Sequence, residues 1–90
     1  KVEENIYLSE VSTIYPNPAY NSVNVLLGGQ ANDFIISIFS IDGDLIEQFK
    51  EQNLPNNRSI TIPLDYYPKG VYLINIICGD KIENIKLLKR

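Results

Sequence analysis

Gly70-Val71-Tyr72-Leu73-Ile74-Asn75-Ile76-Ile77-Cys78 is a run of strand length dominated by β-branched and aromatic side chains. Pro68-Lys69-Gly70 opens it and Gly79-Asp80 closes it. A β-branched run bounded by turn formers reads as a strand in the middle of a core. The flanking stretches repeat the pattern. Ser22 to Leu27 alternates, with Val23, Val25 and Leu27 on one face and Ser22 and Asn24 on the other, as expected of an antiparallel strand with one wet side. Ser59 to Leu64 places Ile60, Ile62 and Leu64 inward in the same way. Phe34 to Ile41 is apolar on both faces, so it is expected to be the most buried strand after Gly70–Cys78.

Turns separate these runs. Asp42-Gly43 is the strongest hairpin signal, supplying the positive φ values of a type I′ turn before Leu45 to Gln52 returns. Asn53 to Arg58 is a loop broken by Pro55, and Gly79-Asp80 is a second tight turn. Lys81 to Lys89 then closes the domain with Ile82, Ile85, Leu87 and Leu88 as its apolar set. At the other end, Val11 to Tyr15 is a short strand stopped by Pro16. Pro16 and Pro18 remove two backbone donors and fix φ twice, so Pro16-Asn17-Pro18 cannot sit inside a sheet. The sum is an all-β chain: an immunoglobulin-like β-sandwich of about seven antiparallel strands. In such sandwiches a Tyr near the start of the penultimate strand turns its hydroxyl back to backbone upstream, and Tyr72 is placed to do so. No Cys…Trp…Cys set is present, which excludes an antibody-type domain.

Composition narrows the function classes. The 90 residues make one domain, with 44% hydrophobic and 21% charged content, normal for a globular chain. A chain this short buries only about 60–65% of its unfolded surface. The net charge of −3 argues against a nucleic-acid binder. That charge is uneven, because Lys81, Lys86, Lys89 and Arg90 crowd the last ten positions. There is no histidine, which excludes His-based triads, His metal ligands and imidazole acid–base pairs. Cys78 is the single cysteine and reads as a small buried hydrophobe. Asp42-Gly43-Asp44 has too few ligands for calcium and reads as a turn. Nothing meets the requirements of a nucleophile or an acid–base pair, so no enzyme, metal site or cofactor is expected. No apolar run reaches bilayer-spanning length. The start at Lys1, with no initiator Met and no leader, reads as a fragment of something longer.

Several stretches in order carry a resemblance: Ile14-Tyr15-Pro16-Asn17-Pro18-Ala19, Val23-Asn24-Val25, Ile41-Asp42-Gly43, Leu64 with Pro68-Lys69-Gly70-Val71-Tyr72-Leu73-Ile74, and Lys86-Leu87-Leu88-Lys89. Their order and spacing resemble the type A C-terminal sorting domain of the type IX (Por) secretion system of Bacteroidetes, over residues 11–90. The resemblance implies an address label at the end of a larger secreted passenger. The label would be read by the type IX translocon after passage through the periplasm. A sortase-like peptidase would then remove it at the cell surface. Residues 1–10 would be linker from the upstream passenger. Residues 16–18 (Pro16, Asn17, Pro18), Gly70, Tyr72, Lys86, Leu87, Lys89 and Arg90 would be the recognition positions, with the terminal cations foremost. A binding module is the competing class: an accessory carbohydrate-binding or fibronectin-like spacer module of a secreted hydrolase, with Tyr20, Tyr66 and Tyr67 as sugar-stacking candidates. Tyr66 and Tyr67 could share one platform only if their corner is irregular, because neighbours on a strand face opposite ways.

Overall fold

Seven strands follow from the alternating patterns: β1 (Thr13–Tyr15), β2 (Ser22–Leu26), β3 (Phe34–Ser40), β4 (Leu45–Glu51), β5 (Ser59–Pro63), β6 (Gly70–Cys78) and β7 (Lys81–Lys89). They are seen in a computed structural model that describes residues 11–53 and 57–90. The expected linker over residues 1–10, and Pro55 in the loop after β4, lie outside the described residues. Two antiparallel sheets face each other, one ordered β1-β2-β5 and the other β4-β3-β6-β7, in an immunoglobulin-like sandwich.

The opening run is the strand that the rest packs around. β6 pairs with β3 through Ile36↔Ile76 and Ile38↔Ile74, and with β7 through Tyr72↔Leu87. Ile36, Ile38, Ile74, Ile76 and Leu87 are completely buried, and so are Val23, Val25, Ile62 and Leu64 from the facing sheet. Phe34 and Tyr72 complete the core as expected, while Ile60 is only partly buried and packs on its margin at the edge strand β5. The Tyr72 hydroxyl donates to the Pro68 carbonyl oxygen at 2.5 Å, the corner contact read from its position. Cys78 is buried.

Three expectations are corrected in detail, and the facing of β7 is added to them. The β3–β4 hairpin is present, but its turn is not type I′, since Arg58 is the one non-glycine with positive φ among the described residues. Gly43 N donates to Ser40 O at 2.9 Å and Ser40 N donates to Asp44 O at 2.8 Å, with Gly43 at φ 93°. That is the three-residue loop in which a type I turn is followed by a left-handed glycine. Second, Ile41 falls in this loop and is 72% exposed, because β3 ends at Ser40 after a register irregularity at Ile38/Phe39. In β7, Ile82 is 67% exposed. Residues 82 and 85 lie three apart and so face opposite sides of a strand. Leu87 and Ile85 take the inner face, which turns Ile82 outward. Third, Ile60 is not among the fully buried residues that β5 was expected to contribute; Ile62 and Leu64 are.

The two flanks of the sandwich differ. At one, β1 and β7 lie side by side and are stitched together, whereas β4 and β5 at the other end make no such contact. A cleft of about 470 Å³ runs beside them, lined by Ile46, Phe49, Pro63, Tyr66, Tyr67 and Pro68.

Candidate functional site

The edge strand β7 presents backbone groups on its outer side, and residues 12–19 cover them. Pro16 and Pro18 carry the chain out of β1 in two cis peptide bonds, which leaves the Asn17 side chain against β7. Its Nδ2 donates to the Lys86 carbonyl at 2.8 Å, and its Oδ1 accepts from the Leu88 amide at 2.9 Å. One carboxamide thus supplies both halves of what a neighbouring strand would offer. Ala19 continues with main chain: its amide donates to Leu88 O at 2.8 Å, its carbonyl accepts from Arg90 N at 2.8 Å, and it makes a parallel bridge to Lys89. Ala19 itself is fully buried.

Further up the same edge, Ser12 does the stitching. Its amide and hydroxyl donate to the two carboxylate oxygens of Glu83 at 2.9 and 2.7 Å, and its Oγ accepts from Gly28 N at 2.9 Å. Arg58 then ties the same Leu27–Gly28 turn, donating to Leu27 O at 3.1 Å and Gly28 O at 3.2 Å. A second Arg58 contact reaches Cys78 Sγ at 3.7 Å. Neither Ser12, Glu83 nor Arg58 stood out in the sequence. Glu83, on the face of β7 that it shares with Ile85 and Leu87, is the signal that could have been followed.

The residues singled out in the sequence therefore fall into groups. Pro16, Asn17 and Pro18 form a strap across β7. Tyr72 and Leu87 are buried opposite each other in register, inside the core. Gly70 pairs with Lys89, with φ 147° and open space where a Cβ would point. Lys89 and Arg90 sit at the free end of β7, where Tyr20 and Lys69 join them around a shallow groove of about 610 Å³. Lys86 is exposed but does not line that groove. The structure thus separates the three terminal cations, and it adds Lys69 and Tyr20 to two of them.

The tyrosines considered for sugar stacking do not form a shared exposed platform. Tyr66 is 97% exposed, whereas Tyr67 is half-buried and meets Tyr72 edge-on at 5.3 Å between ring centroids. The Tyr67 hydroxyl donates to the Glu47 carboxylate. Burial, with that acceptor beside it, pushes the Tyr67 phenol well above its usual range. Every buried side-chain polar atom among the described residues has a partner.

The chain is thus a two-sheet immunoglobulin-like module in which the segment after β1 straps down β7. Residues 13–90 match the family model of the secretion system C-terminal sorting domain, and the chain belongs to that family. It is a type IX secretion sorting signal, and the family implies a Bacteroidetes source and export to the cell surface or beyond. No curated protein matches the chain.

Proposed function

We propose that the domain is read by the type IX translocon at the end of β7, and that the Pro16–Pro18 strap serves recognition by holding that end in one conformation. The observation that carries this reading is convergence. Asn17, Ala19, Gly70, Lys89 and Arg90, distant in sequence, meet at one strand end through the hydrogen bonds described above. Tyr72 and Leu87 are buried and contribute by packing β6 against β7, while the exposed cations are the groups a partner can touch. A passenger precedes the domain, residues 1–10 are linker from it, and a sortase-like peptidase cuts upstream of the domain at the surface. Family membership supports that last step.

The test is a fusion of residues 1–90 to an inert periplasmic reporter in a host that carries the system. The reporter should reach the cell surface. Replacing Lys89 and Arg90 with Gln should strand it in the periplasm, while thermal stability stays within about 0.5 kcal/mol of wild type, as is usual for surface changes. Lys86→Gln, away from the groove, should export normally. Normal export of the Lys89→Gln/Arg90→Gln variant would remove the end of β7 as the recognised surface. A wild-type fusion retained in the periplasm would refute the sorting reading itself.

A further inference from the structure

We infer that the groove at the end of β7 is a docking site for an extended acidic peptide segment of a partner protein, with alternating carboxylate and apolar side chains. The inference rests on the sorting reading for its biological setting, but the groove's chemistry is independent of it. Three chain segments build the groove. Tyr20 follows the strap, Lys69 and Gly70 lead into β6, and Leu88, Lys89 and Arg90 end β7. Backbone geometry fixes their meeting, because Gly70 pairs with Lys89 and Arg90 N is bonded to Ala19 O at 2.8 Å.

Three cations, Lys69, Lys89 and Arg90, therefore share one small concavity, and no Asp or Glu side chain lines it. Among the described residues none of the three is paired with an Asp or Glu side chain; the Lys89 ammonium donates to the main-chain oxygen of Arg90 at 3.1 Å. In a chain of net charge −3, such a concentration of basic side chains selects a negatively charged partner. The remaining lining is apolar or bare. Tyr20 is 57% exposed, Leu88 is part-buried, and open space lies above Gly70 where any other residue would carry a Cβ. A bare backbone between cations and an apolar floor suits a peptide whose side chains alternate in kind. A uniformly charged polysaccharide would leave that floor unused.

The test uses the 90-residue chain and two short synthetic peptides, one alternating Glu with Leu and one alternating Gln with Leu, followed by amide chemical shifts. The Glu peptide should shift Tyr20, Lys69 to Val71 and Leu88 to Arg90 saturably, and the Gln peptide should not. The double variant Lys69→Gln/Arg90→Gln should melt with wild type and bind about tenfold or more weakly, as loss of two exposed charge contacts allows. Tyr20→Ala should also weaken binding. Salt should weaken it as screening shortens to about 8 Å at physiological strength. The inference is overturned if no shifts occur at millimolar peptide, or if Lys50 and Arg58 shift equally. It is also overturned if dextran sulfate binds the groove and the Glu peptide does not. Absent peptide binding beside export that still needs Lys89 and Arg90 sinks the groove assignment alone. Intact peptide binding beside a fusion that never leaves the periplasm sinks the sorting reading alone.

Discussion

Replacing Asn17 with Ala removes two hydrogen bonds at once and touches nothing in the core. The bonds run to Lys86 O at 2.8 Å and from Leu88 N at 2.9 Å. A typical intramolecular hydrogen bond contributes about 0.5–1.5 kcal/mol net, and Asn17 is exposed, so water can reach the groups left behind. The expected loss is therefore about 1–2 kcal/mol, near the lower end of two full bonds. For a domain of this size that lowers Tm by about 5–15 °C. Hydrogen exchange localises the effect: the Leu88 amide should lose protection more than the amides of β3 or β6.

Asn17→Asp sharpens the test, because it keeps the acceptor for Leu88 N but turns a carboxylate oxygen toward Lys86 O. At neutral pH it should cost at least as much as Ala. Only the protonated carboxyl can donate to Lys86 O, so folding raises the pKa of the introduced group. Stability gained from that proton is present below the ordinary Asp value of about 4 and drains away as pH rises through the folded value. The gap between the Asp and Ala variants should thus move in favour of Asp on acidification. A melt of Asn17→Ala superimposable on wild type, with Leu88 protection unchanged, would refute the strap.

Other predictions follow from the core and its corners. Ile74→Ala, at a completely buried position paired with Ile38, should cost about 2–5 kcal/mol in denaturant melts, and a milder loss would mean the core collapses around the cavity. Thiol reagents should label buried Cys78 slowly in the native protein and quickly in denaturant, and rapid native labelling would contradict its burial. In an alkaline titration followed by ultraviolet absorbance, Tyr67 should ionise well above the usual phenol range, and Tyr67→Phe should remove that phase. The neutral phenol is the form that burial and the bond to Glu47 favour, so this contribution holds below about pH 10 and is lost as pH climbs through the folded value.

Alternation made most of the fold legible. Val23, Val25, Ile62 and Leu64 on one sheet and Ile36, Ile38, Ile74 and Ile76 on the other were readable because period-two burial is a local property of each strand. The corner at Tyr72 was readable for a related reason, since its hydroxyl reaches only four positions back. What local pattern cannot express is which edge pairs with what. Pro16-Asn17-Pro18 announced that it leaves a sheet, but not that Asn17 would pair with β7. Hydropathy marked Ile82 as apolar without giving its face, and strand geometry turns it outward while Glu83 meets Ser12. The groove was half visible: Lys89 and Arg90 adjoin in sequence, but Tyr20 and Lys69 reach them only through folding.

The strap has a consequence for truncated chains. Its bonds span 69 and 71 positions, the far ends of the described chain, and they need Lys86 O and Leu88 N as partners. Closing loops of that length is costly before the rewarding contacts exist, so they depend on the rest of the sandwich being assembled. A chain cut short before residue 86 would lose the cations at the end of β7 and the seat for Asn17 together. A cut after Leu88, by contrast, would keep both partners of Asn17 and lose Lys89 and Arg90. The seat for Asn17 and the cations Lys89 and Arg90 thus lie within one continuous stretch, residues 86–90.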